Sequence, residues 1–120
     1  MVIDLSEQHA YLLWPDGRLA SRAPVSTGAN GRTPVGEYRV YQKQELGTSL
    51  ADRSVRMRYF TVFNGHIGMH GPPFRGNRAN ELYTPLGERP VSRGCVRMTE
   101  GHARWIYESL PVGAPVIVRH

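Results

Sequence analysis

Short apolar runs punctuated by turn formers, rather than long helical stripes, organise this chain. Residues 2–5 and 10–14 are two such runs, and the second ends at Pro15-Asp16-Gly17, a strong turn signal leading into residues 18–26. The pattern predicts a β-meander. Residues 27–36 are dense in Gly, Asn, Thr and Pro and are expected to form a loop, after which residues 37–41 alternate as a half-buried strand does. A further β-rich run covers residues 55–63, and residues 67–70 form a short strand after the Asn64-Gly65 break. Residues 71–91 carry no long periodic stretch. One helix is expected near the C-terminus: Thr99 is a capping residue, and Ala103, Ile106, Tyr107 and Leu110 recur at i, i+3, i+4 and i+7, an apolar stripe suited to lie on a sheet. Pro111 and Gly113 stop it, and residues 116–118 close the chain as a strand. The expected fold class is mostly β with one clear helix near the C-terminus.

Length and composition sharpen this picture. With 120 residues the chain can build one core and not two, so a single domain over residues 1–120 is expected. Thirteen Gly and nine Pro favour turns and short strands over a helical bundle. No apolar run approaches the roughly 18 residues of a helical membrane span. The formal net charge is +5, and Lys43 is the only lysine, so arginine supplies the other cationic side chains. No basic block is interleaved with aromatics, which leaves nucleic-acid binding unsupported. Arg75, Arg78, Arg89, Arg93 and Arg97 nevertheless crowd one segment that contains only Glu81 and Glu88 as counter-charges, an excess suited to an anionic ligand.

A single cysteine rules out an intrachain disulfide and a cysteine-rich zinc site, leaving Cys95 as a buried small hydrophobe or a reactive thiol. It lies in Ser92-Arg93-Gly94-Cys95-Val96-Arg97, directly after a glycine and near two arginines. Nearby cations favour the thiolate, and the glycine lets backbone amides converge where a tetrahedral oxyanion would form. A thiol nucleophile needs a base. His70 ends a predicted strand and precedes Gly71, whose carbonyl is placed to orient the imidazole. His66 and His70 share a strand face and with Cys95 suggest a zinc set, but Gly65 and Gly68 disfavour the helical metalloprotease spacing and no matching Glu follows either histidine. His66 is therefore expected as a wall of the cleft, and no metal or cofactor is expected.

These motifs, His70-Gly71 followed by a loop and then Ser92-Arg93-Gly94-Cys95-Val96-Arg97, resemble the L,D-transpeptidase catalytic domain, also called the YkuD-type domain. Three weaker segments occur in the family's order: Val2-Ile3-Asp4-Leu5-Ser6, Thr33-Pro34-Val35-Gly36-Glu37-Tyr38, and Phe63-Asn64-Gly65-His66-Ile67-Gly68-Met69-His70-Gly71. Arg93 departs from the pattern, standing where the family usually has histidine. The resemblance implies a β-sandwich or barrel-like sheet arrangement. It also implies a catalytic set of Cys95, His70 and the Gly71 carbonyl, with an oxyanion hole from main-chain N–H groups around Arg93, Gly94 and Cys95. Ser92, Arg97, His66, Arg75, Arg78 and Tyr83 are the expected substrate contacts; for Arg97 a structural salt bridge beneath the loop is an equal alternative. Residues 72–90 are expected to act as a lid, with Arg75, Arg78 and Arg89 beside Phe74 and Tyr83.

The activity implied is acyl transfer on peptidoglycan stem peptides through a thioester, giving cross-links or D-amino acid exchange. The alternatives are an L,D-carboxypeptidase that trims tetrapeptide stems, including as a secreted antibacterial toxin, and a non-catalytic wall-binding module with an inert Cys95. The location implied is periplasmic or cell-wall facing, although residues 1–7 contain neither a charged leader nor an apolar export segment. A trimmed chain, or a toxin carried by a dedicated secretion apparatus and matched by an immunity protein, would account for that. No nucleic-acid partner and no membrane span are expected.

Overall fold

The computed structural model describes residues 1–77 and 80–120. Its strands are β1 (Val2–Asp4), β2 (His9–Leu13), β3 (Leu19–Pro24), β4 (Gly36–Arg39), β5 (Gln42–Thr48), β6 (Val55–Asn64), β7 (Ile67–His70), β8 (Phe74–Arg75), β9 (Val96–Arg97) and β10 (Pro115–Arg119), with one helix, α1 (Glu100–Ser109). They form two sheets. The first has the order β3-β2-β1-β10-β4, in which β1 and β10 run parallel and the other neighbours antiparallel. The second runs β5-β6-β7-β9, with β7 and β9 parallel, and β8 pairs with the start of β6. The mostly β expectation holds, and β1, β2, β3, β6, β7 and β10 fall where the hydrophobic pattern placed them.

One core joins both sheets and the helix. Ile3, Leu12, Val116 and Val118 from the first sheet meet Phe63, Met69 and Val96 from the second and Ala103 and Ile106 from α1. Thr99 caps the helix, its hydroxyl accepting from the His102 N–H at 3.2 Å, which satisfies one of the unpaired donors of the first turn. Burying Ile106 completely contributes about 1.5–3 kcal/mol and fixes α1 over β6 and β7.

The second sheet has a second, different face. Met57, Phe60 and Val62 form a separate apolar cluster against Cys95. Strict alternation along β6 cannot place Met57 and Phe60 on one side, because they are three residues apart. The break in phase falls at Tyr59, whose φ of +53° lies in the left-handed region. Val55, Met57, Phe60 and Val62 consequently all line the same cavity, while Tyr59 turns the other way to pack on Tyr107 of α1, ring centroids 5.5 Å apart.

Candidate active site

The cavity on this face has a volume of about 450 Å³ and brings together His66, His70, Ser92, Arg93, Gly94, Cys95 and Arg97. Two structural units carry these residues. The first is the β6–β7 hairpin, which turns at Gly65 with φ +60° and pairs Asn64 with Ile67. Gly68 is required there because a Cβ would overlap the Thr61 carbonyl oxygen and the Phe60 ring. The hairpin ends at His70, which is 3% exposed and packs edge-on against Phe60. His70 Nδ1 lies 2.6 Å from the Gly71 carbonyl oxygen. A carbonyl can only accept, so Nδ1 carries the proton and Nε2 is left as the basic nitrogen.

The second unit is the segment 91–97, a loop that runs into β9, and a buried polar scaffold holds it. Ser26 pairs with Arg97 through two backbone hydrogen bonds of 3.0 and 2.9 Å, and the Thr27 carbonyl accepts from Val91 and Ser92. Thr27 is in turn clasped by buried Gln8, whose Nε2 donates to Thr27 Oγ1 at 2.9 Å and whose Oε1 accepts from the Thr27 N–H at 3.0 Å. Thr33 Oγ1 donates to the Gly94 carbonyl at 2.5 Å and accepts from the Gly28 N–H at 2.7 Å. Ser92 Oγ donates to the Cys95 carbonyl at 2.5 Å and accepts from the Gly94 N–H at 3.1 Å. Gly94 itself has φ +150°, and a Cβ there would crowd the Arg32 carbonyl and Ile67.

Cys95 is half-buried and reaches the hairpin. Its Sγ lies 3.6 Å from the His66 carbonyl oxygen, and the Gly68 N–H is directed at the sulfur. The expected preference for thiolate is not what this environment produces. Burial pushes the thiol up, outweighing the Gly68 N–H and the Arg97 charge that act in the other direction. His70 is pushed down to about 4, chiefly by burial, with the Gly71 carbonyl opposing and Arg97 assisting. A neutral thiol therefore faces the cavity with a neutral imidazole, and a proton transfer must accompany any attack by sulfur.

The remaining expected residues separate into distinct groups. Arg97 is half-buried, lines the cavity and donates from Nη1 to Thr84 Oγ1 at 3.1 Å. Among the described residues it has no carboxylate partner at salt-bridge distance, so the salt-bridge alternative finds no support. Arg93 is exposed at the rim. Ser92, expected at substrate, is 3% exposed and its hydroxyl is taken up inside the loop; the Gly94 amide is likewise committed to Ser92 rather than free for an oxyanion. Arg75 lines the far end of the cavity but is already paired with Asp52 at 2.8 Å. Tyr83 is 73% exposed and does not line the cavity, and Arg78 lies outside the described residues. His66 joins the wall, as expected, and adds a backbone carbonyl acceptor for the thiol.

Segment 72–90, expected as a lid without periodic structure, is anchored at several of its described residues. Phe74 is buried, β8 pairs with β6, the Leu82 N–H donates to the Pro73 carbonyl, and Ser26 Oγ holds the Arg89 carbonyl at 2.8 Å. Gln8, Ser26, Thr27 and Thr33 were not among the expected site residues. A buried polar residue is recognisable only once its neighbours are known, and the only sequence signal was the density of Thr and Ser in residues 26–33.

Comparison with known proteins places this fold in one class. The profile of the L,D-transpeptidase catalytic domain, the YkuD family, matches residues 1–118, and the chain belongs to that family. No curated protein matches it significantly. Among solved structures, an L,D-transpeptidase from Mycobacterium smegmatis is 21% identical, covers 99% of this chain and 57% of its own, and superposes with a TM-score of 0.77. The L,D-transpeptidase of Stackebrandtia nassauensis is 26% identical, with 98% and 53% covered and a TM-score of 0.79. L,D-transpeptidase 3 of Mycobacterium tuberculosis, solved with a faropenem-derived adduct, is 22% identical, with 99% and 59% covered and a TM-score of 0.74. The chain thus spans somewhat over half the length of these relatives. No helix among the described residues is long and apolar enough to cross a membrane.

Proposed function

We propose that this chain is a cysteine acyltransferase acting on peptidoglycan stem peptides at the cell-wall face. The observation that carries the reading is one cavity lined by Cys95 and by a histidine whose Nδ1–H is held by the Gly71 carbonyl, leaving Nε2 to exchange protons. As Cys95 Sγ attacks the carbonyl of the stem's third residue, His70 Nε2 takes the thiol proton. Charge collects on the carbonyl oxygen. The amides of Arg93 and Cys95 are the donors proposed for it, since the Gly94 amide is engaged by Ser92. The Gly94 carbonyl is tied to Thr33, and in a planar trans peptide the Cys95 N–H points the opposite way, away from that anchor.

Collapse of the tetrahedral species breaks the peptide bond. The imidazolium returns its proton to the departing amine of the terminal D-amino acid, and a thioester remains on Cys95. An incoming amine then attacks the thioester, His70 removes its proton, and the thiol is regenerated. Arg97, a cavity guanidinium that donates to the Thr84 hydroxyl and has no carboxylate partner among the described residues, is proposed to bind a substrate carboxylate.

The test is product analysis with a disaccharide-tetrapeptide. Wild type should release the terminal D-amino acid, whereas Cys95→Ala and His70→Ala should each reduce turnover to background. A cross-linked dimer indicates transpeptidation, incorporation of an added D-amino acid indicates exchange, and a free tripeptide indicates carboxypeptidase action. Turnover by Cys95→Ala would exclude covalent catalysis through that thiol.

A further inference from the structure

The geometry points to Tyr59 as a positioning residue of the site: its left-handed backbone breaks β6 opposite the His70-Gly71 peptide and aims the Arg58 carbonyl at the Gly71 N–H. The assignment rests on the reading of His70 as the base.

Three non-glycine residues have a positive φ among those described, and two of them, Gln8 and Asn30, lie outside strands. Tyr59 alone occupies the middle of one, the ten-residue β6. Its intrinsic preference is for the extended conformation, and a bulky aromatic at positive φ is a conformational outlier that the surroundings must impose. The register shows what this conformation does. β6 pairs Thr61 with Met69 and, further on, Arg56 with Phe74 and Val55 with Arg75. The two ladders share one register, so β7 and β8 are halves of a single strand along one edge of β6. Extending the Thr61–Met69 pairing by two places brings Tyr59 directly opposite Gly71. In the gap between the ladders one backbone bond joins the edges, from the Gly71 N–H to the Arg58 carbonyl at 3.0 Å.

A chain of contacts follows from that bond. The Arg58 carbonyl fixes the Gly71 N–H, the same glycine's carbonyl accepts from His70 Nδ1 at 2.6 Å, and that contact selects the imidazole tautomer with a basic Nε2. From the other side, α1 holds Tyr59. Its ring packs against Tyr107, and Arg104 lies over it with the guanidinium carbon 5.9 Å from the ring centroid. The helix thereby acts on the histidine through the backbone of β6. The ring anchors the kink and the backbone transmits it, and substitution can separate these roles.

The experiment compares Tyr59→Gly, Tyr59→Ala and Tyr59→Val. All three remove the ring contacts, but glycine adopts positive φ freely, alanine does so at a cost, and β-branched valine resists it. Two readouts are taken on each folded variant: kcat/KM on the disaccharide-tetrapeptide, and the His70 Nδ1–H and Nε2 signals by ¹⁵N-correlated NMR across a pH series. The expected order is Gly, then Ala, then Val in both. Glycine should retain the hydrogen-bonded Nδ1–H signal, and valine should lose it together with roughly 100-fold in kcat/KM. Ordinary strand behaviour predicts the reverse order, since valine is the better strand former. If valine retains the signal and activity, or if glycine is the worst of the three, the assignment is overturned; should Tyr59→Val not fold, the Gly–Ala pair decides by the same criterion. Turnover by His70→Ala would instead remove the base reading, leaving the NMR order to judge the positioning of the ring.

Discussion

Acid should destabilise this fold through His70 before it does so through carboxylates. The imidazole is almost entirely buried and its pKa falls from 6.5 to about 4. Between those values the unfolded chain binds a proton at this position and the folded chain does not, so stability rises with pH across the window. The contribution is fully present above the unfolded value and is lost as pH falls toward the folded one. The difference corresponds to about 3 kcal/mol, a substantial fraction of the roughly 5–15 kcal/mol that holds a typical domain. Asp4 titrates in a separate, lower window: Ser6, the Glu7 N–H and Arg119 hold its carboxyl down at about 2. The perturbation is therefore pH itself, read against His70→Gln, which keeps a polar side chain without the titration. Urea unfolding of both proteins from about pH 7 to about pH 4 isolates the histidine, because the other groups cancel in the difference. Wild type should lose about 2–3 kcal/mol more than the variant over that range. Parallel stability curves would refute the reasoning, since they would mean that His70 takes up its proton in the folded state as readily as in the unfolded one.

Other substitutions probe the supports of the site. Gly68→Ala drives a methyl into the Thr61 carbonyl and the Phe60 ring and should cost about 1–3 kcal/mol or more, measured as a fall in urea midpoint. Thr33→Val strands the Gly94 carbonyl and the Gly28 N–H, at about 1–3 kcal/mol per buried group left unpaired, and should lower kcat together with stability. Arg97→Gln should reduce kcat/KM for a carboxylate-bearing stem by roughly 10- to 100-fold, the value of a charge-assisted hydrogen bond, and by much less for the amidated stem; equal losses on both would remove the carboxylate contact.

The sequence carried the architecture unevenly, and the differences have physical causes. The helix announced itself because burial on one side leaves a periodic trace and because Thr99 is a capping residue, and residues 67–70 did so as a short run after the Asn64-Gly65 break. β5 left no such trace. Its Gln-Lys-Gln-Glu-Leu-Gly-Thr composition belongs to an edge strand whose order comes from pairing with β6. Cys95 and His70 were legible as a pair, and the structure brings them to one cavity. Their electrostatics were not, because arginine near a thiol in sequence says nothing of the burial that outweighs it. The local arginine excess makes Arg75 an expected substrate contact, yet Asp52 from a distant loop occupies it. The supports from Gln8 and Thr33 were invisible for the same reason: Gln8 and Thr27, 19 residues apart, and Thr33 and Gly94, 61 residues apart, become partners only in the folded chain. Tyr59 was worse than silent, since an aromatic in a β-rich run argues against the left-handed kink it adopts.

The central claim, that Cys95 carries the acyl group, is tested most directly by intact-protein mass spectrometry after rapid acid quench during turnover of the disaccharide-tetrapeptide. The account predicts a species heavier by the disaccharide-tripeptide acyl group, mapped by peptide fragmentation to Cys95 and absent from Cys95→Ala. Turnover with no such species at any quench time, or an adduct on a residue other than Cys95, would contradict it.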